Sequence, residues 1–139
     1  MSAHLLSLSL DSGWTCDYFE PELCTRGPAR AEPVASLAAW VFDGRRAGGQ
    51  DAWLERPFTL RQVDFCVSYL LLIGSAPAGA AIHINDRPVG VYAAPGSDDP
   101  SFELEITLLV TLGLNRVAFR VARDMPGVFS GLRLRMTPC

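Results

Sequence analysis

The chain has 139 residues, 12 basic against 15 acidic side chains and a formal net charge of -3, with every basic residue an arginine. That length accommodates one domain with its own core, so residues 1–139 are expected to form a single unit that needs no disulfide framework or structural metal. An acidic balance without a clustered positive excess argues against a nucleic-acid partner. The first residues, Met-Ser-Ala-His-Leu-Leu-Ser-Leu-Ser-Leu, lack a positive n-region and interrupt their apolar run with serines, unlike a secretory signal. The expected location is cytoplasmic. No apolar stretch approaches the length of a bilayer span, so no membrane partner is expected. The cysteines stand at 16, 24, 66 and 139 without a C-x-x-C pair, which favours reduced thiols and leaves a Cys16–Cys24 bridge open.

From Pro21 to Gln50 the chain is irregular and rich in proline and glycine, and one short strand is expected around Ala38 to Phe42. Connections this long are commonly functional or packed over a core. Beyond it, period-two alternation dominates. Val63, Phe65, Val67, Tyr69, Leu71 and Ile73 share one face of a strand. Ile82 and Ile84 flank His83, and Asn85-Asp86 then tolerates the left-handed backbone of a tight hairpin, with Pro88 in the return strand. The stretch Ala94 to Pro100 reads as a surface loop. Phe102, Leu104 and Ile106 alternate with Glu103, Glu105 and Thr107, and Thr107 to Asn115 suggests one helical turn closed by Gly113. Val117, Phe119 and Val121, then Leu132, Leu134 and Met136, complete the set. Strands with one apolar and one polar face imply an all-β fold, an antiparallel two-sheet sandwich of eight or nine strands.

Three segments together resemble the N-terminal sugar-binding domain of β-galactosidase and β-glucuronidase type glycoside hydrolases of family 2, a galactose-binding-like jelly roll. They are Asp51-Ala52-Trp53-Leu54-Glu55-Arg56-Pro57-Phe58-Thr59-Leu60, the hairpin Ala81 to Gly90, and Phe102 to Thr107 with the following Gly113-Leu114-Asn115 strand. The sequence departs from the family pattern at Asp86, where glycine is usual, and at His83, where tryptophan is frequent. In such hydrolases the catalytic carboxylates sit on a separate barrel, so the resemblance implies binding without catalysis. It also aligns Asp124, before the last strand, with an aspartate that reaches sugar hydroxyls.

Candidate sites follow from the residue types. Sugar rings offer apolar faces to aromatic side chains and hydroxyls to fixed polar groups, which makes Trp40, Trp53 and Tyr92 candidate stacking residues and Asp124 a candidate hydroxyl acceptor. The competing assignment places the tryptophans in the core or at the sandwich edge, and makes Asp124 a turn former with Pro126-Gly127. Asp98-Asp99 reads as a solvated turn, with a structural calcium site as the alternative; no other cofactor is implied. His4 and His83 build no triad or metal cluster from their spacing. Two functions remain: a non-catalytic carbohydrate-binding module with a saccharide partner, or a structural sandwich that self-associates into a homo-oligomer through an exposed sheet face.

Overall fold

The computed structural model describes residues 6–19, 31–47, 50–60, 67–94, 102–123 and 125–138. Among the described residues ten strands are present: β1 (Leu6–Ser9), β2 (Trp14–Phe19), β3 (Glu32–Val34), β4 (Asp51–Leu60), β5 (Val67–Ile73), β6 (Ala81–Ile84), β7 (Arg87–Val91), β8 (Phe102–Glu105), β9 (Gly113–Val121) and β10 (Arg133–Pro138). They form two antiparallel sheets, one ordered β1-β10-β5-β8 and the other β3-β2-β4-β9-β6-β7. This is the expected β-sandwich. None of the helices among the described residues is long and apolar enough to cross a membrane.

The alternation read from the sequence sets the faces. Tyr69, Leu71 and Ile73 of β5 and Leu134 of β10 meet Leu54, Ile82, Ile84, Val117 and Phe119 from the other sheet in one buried cluster. Each of these apolar side chains contributes about 1.5–3 kcal/mol when removed from water. A ladder of aromatic rings runs through the core: Trp14 lies 5.6 Å from Phe119, Phe119 lies 5.0 Å from Phe129, and Phe129 lies 5.9 Å from Trp40. The indole N–H of Trp14, fully buried, donates to the carbonyl of Leu10, so its one polar group is satisfied inside the core.

The hairpin is as expected. Asn85 and Asp86 adopt φ of 49° and 67°, the left-handed pair required by a two-residue turn matched to strand twist. Pro88 is harmless because β7 is the edge of its sheet. Pro33 blunts β3, at the opposite edge, in the same way.

Three local expectations are corrected. Residues 37–39 form a single 3-10 turn, and the short strand lies earlier, at Glu32–Val34. The reason is a long-range cap: Asp11 accepts the Ser36 hydroxyl at 2.6 Å and the Ala38 N–H at 2.8 Å, while the Leu37 N–H reaches the Asp11 carbonyl at 2.7 Å. These bonds satisfy the orphan donors of the turn. They also hold the Asp11 carboxyl below its ordinary range, the Ser36 hydroxyl contributing most. Residues 107–109 form hydrogen-bonded turns without a helix, and Gly113, at φ 92°, opens β9 where a helix cap was expected. Among the described residues the strand count is ten; β1 and β3 are short edge strands, and β3 has only three residues around Pro33 in which no alternation can show.

Candidate functional site

Among the described residues a hollow opens at the β3 edge, between β2, β3 and the segment that follows the 3-10 turn. Cys16, Tyr18, Glu32, Pro33, Val34, Trp40, Val41 and Asp43 line about 150 Å³. Binding pockets for drug-sized ligands usually span roughly 300–1,000 Å³, so the space suits one small ring.

Its walls are built by identifiable devices. Cys16 and Tyr18 point inward from β2, since their cross-strand neighbours Leu54 and Ala52 belong to the core. Asp11 fixes the 3-10 turn and thereby the point from which Trp40 enters the hollow. The Trp40 ring is half-buried, resting against Phe129 at 5.9 Å and standing edge-on to Phe42 at 6.3 Å. Phe42 in turn meets the Tyr18 ring edge-on at 5.2 Å. The Asp43 N–H donates to the Tyr18 phenolic oxygen at 2.8 Å, and Asp43 Oδ1 accepts the Arg45 N–H at 3.1 Å, capping the helical turn α1 (Gly44–Ala47). Glu32, Val41 and Asp43 are exposed at the mouth. Apolar and aromatic walls with carboxylates at the rim offer an aromatic contact to a ring's C–H face and acceptors to its hydroxyls.

Burial pushes the Tyr18 phenol up to about 12. The neutral form is favoured by folding, so this contribution to stability is complete below the unfolded value near 10 and is lost as the pH rises through the folded value of about 12. In an alkaline titration followed by phenolate absorbance, one tyrosine is expected to ionise near pH 12 and to vanish from the curve of Tyr18→Phe. A Tyr18 that titrates near 10 while the chain is still folded would contradict the packing described.

Of the three sequence-derived candidates among the described residues, only Trp40 lines this hollow. Trp53 lies on the opposite face of the same sheet, opposed across the ladder by Asp17 and Arg120, and is only 8 % exposed. Its ring stands 4.9 Å from His83, and its indole N–H points toward Glu55 Oε1 at 3.4 Å. Tyr92 is a core residue, 7 % exposed and 5.5 Å from the Phe102 ring. Trp40, Trp53 and Tyr92 therefore do not share one face: Trp40 lines the hollow, Trp53 stands on the other face of the sheet and Tyr92 is packed in the core. Asp124 lies outside the described residues, as do His4 and the Asp98-Asp99 loop. Sequence reasoning missed Tyr18, Glu32 and Asp43; the only signal for them was their position around the irregular segment.

His83 and Cys16 project from opposite faces of the six-stranded sheet, His83 opposing Ala118 and Cys16 opposing Leu54, so they form no nucleophile pair. Among the described residues no group of three or more His, Cys, Asp or Glu side chains is placed to share a metal ion.

No protein-family model matches the chain, and no curated protein matches it. Solved structures do. A β-glucuronidase from an uncultured Clostridium species superposes with a TM-score of 0.66 at 18 % identity, over 96 % of this chain and 29 % of that one. The chain has the sandwich fold found within β-glucuronidases. A Bacteroides uniformis β-glucuronidase gives 0.70 at 17 % identity, covering 96 % of this chain and 18 % of its own. A family 2 glycosyl hydrolase from Bacteroides cellulosilyticus gives 0.65 at 18 % identity, over 94 % and 20 %. The chain thus spans less than a third of the length of each of these enzymes. The resemblance seen in the strand and hairpin segments holds at the level of fold.

Proposed function

We propose that the chain is a non-catalytic carbohydrate-binding module, with the Trp40 hollow as its saccharide site. The half-buried Trp40 ring, placed beside the rim carboxylates of Glu32 and Asp43, carries this reading. In it, Trp40 stacks on the apolar face of one sugar ring, and Glu32 and Asp43 accept hydroxyl hydrogen bonds. The bonds from Asp11 pre-set the turn before Trp40, which lowers the ordering cost of binding. Similarity to part of several glycoside hydrolases supports the ligand class without naming the sugar.

Calorimetric titration with galactosides, glucuronides and plant polysaccharides tests the proposal. Binding is expected for at least one of them, and Trp40→Ala is expected to weaken it about tenfold, ~1.4 kcal/mol. Trp40→Phe, which keeps packing against Phe129, is expected to recover part of the loss. Absence of binding across the panel by the folded chain would refute the assignment. A second reading, a structural or interaction sandwich, is favoured by the burial of Trp53 and Tyr92, which leaves Trp40 as the one expected stacking residue at the hollow.

A further inference from the structure

The outward face of the four-stranded sheet is striped by charge. Arg133 and Arg135 of β10 stand opposite Leu72 and Leu70 of β5, and those leucines stand opposite Glu103 and Glu105 of β8. Directly opposed residues share a face, and the alternate positions Leu71, Ile73 and Leu134 fill the core, so all six point away from it. Across the sheet the order is arginine, leucine, glutamate, with Ser7 and Ser9 of β1 outside the arginines. Leu72 is 5 % exposed although it faces outward between Arg133 and Glu103. Arg133, Glu103 and Glu105 are exposed. The one cross-stripe ion pair, Arg135 to Glu103, is long at 3.9 Å, and Arg135 Nε is buried without an acceptor.

We propose that this face docks a second copy of the chain. The commitment to a self-partner comes from charge complementarity. A two-fold axis running parallel to the strands, above the leucine stripe, exchanges the two sides of the face. Each arginine stripe then meets the glutamate stripe of the other copy, over leucines of which Leu72 is already covered within its own chain. A two-fold axis running across the strands would instead set arginine over arginine and glutamate over glutamate, so the stripes also specify the orientation. The three strands that this axis brings over one another, β10, β5 and β8, lie about 4.8 Å apart and contribute four to seven residues each at about 3.4 Å, a footprint of roughly 200–350 Å². A standard interface buries roughly 800 Å² per partner, so the dimer is weak and depends on its charges. None of these residues lines the Trp40 hollow, and the inference is independent of the saccharide reading.

Sedimentation equilibrium on the full chain tests the surface. A reversible dimer is expected at low ionic strength, with its dissociation constant rising about tenfold between about 0.05 M and 0.5 M salt. Arg133→Glu with Arg135→Glu makes the face wholly acidic, and Glu103→Arg with Glu105→Arg makes it wholly basic. Each double variant alone is expected to be monomeric, while an equimolar mixture of the two forms a heterodimer. If either double variant fails to fold by circular dichroism, Arg133→Glu and Glu103→Arg are read as the mixing pair by the same criterion. The proposal is overturned if the unaltered chain stays monomeric at low salt, if a double variant alone still dimerises, or if folded complementary variants do not associate.

Discussion

Asn115→Leu is expected to destabilise the protein by about 2–4 kcal/mol, because a nearly isosteric apolar side chain removes its hydrogen bonds to part-buried groups, at about 0.5–1.5 kcal/mol each. Asn115 is fully buried. Its Oδ1 accepts the Thr111 N–H at 2.8 Å and the Asn85 side-chain amide at 3.0 Å, and its Nδ2 donates to the carbonyls of Thr111 at 2.8 Å and Gly113 at 3.2 Å. Asn85 extends the network, donating to the Leu109 carbonyl at 2.8 Å and accepting the Arg116 N–H at 2.9 Å. Two asparagines thus rivet the turn after β8 to the β6–β7 hairpin. Leucine would leave the Thr111 N–H and two carbonyls without the partner they have now. Urea unfolding monitored by far-UV circular dichroism measures the effect, and a change below about 1 kcal/mol would show that these groups find other partners.

Phe119→Ala is the second large loss, about 3–5 kcal/mol from removed apolar surface and the cavity left behind. Phe119 has no exposed surface and occupies the middle of β9, paired with Leu54 on one side and Ile82 on the other. Its ring touches both Trp14 and Phe129 in the aromatic ladder, so neither neighbour can close the void without giving up its own contact. The midpoint of thermal unfolding should fall by roughly 10–20 °C. Phe119→Leu, which retains most of the volume, should lose clearly less, and equal losses for the two variants would argue against a cavity as the cause.

Strand alternation was legible because one face of each strand is core and the other is not. The hairpin was legible because Asn85-Asp86 carries its conformation locally. What stayed hidden depends on contacts distant in sequence. Asp11 reaches Ser36 and Ala38 across 25 and 27 residues, and this cap, absent from any local pattern, turns the expected strand near Trp40 into a 3-10 turn. Asn115 read as one residue of a strand opening, while its weight comes from Asn85, 30 residues away. The site was legible only at Trp40. Trp53 alternates with Ala52 and Leu54 as an outward-facing aromatic should, yet it is buried against His83 and Ala118, and alternation cannot show what lies over a face. Tyr92 follows the edge strand β7, and only the partner ring of Phe102 reveals it as core.

The saccharide reading turns on one side chain. Its most direct test is a heteronuclear NMR titration that follows the three indole N–H resonances while a binding saccharide from the calorimetric panel is added. The expected result is a saturable shift at Trp40, accompanied by Val41 and the Asp43 amide, with Trp14 and Trp53 unmoved. Saturable shifts confined to Trp53 and its neighbours, or no indole shift with any sugar in the panel, would contradict the assignment of the hollow.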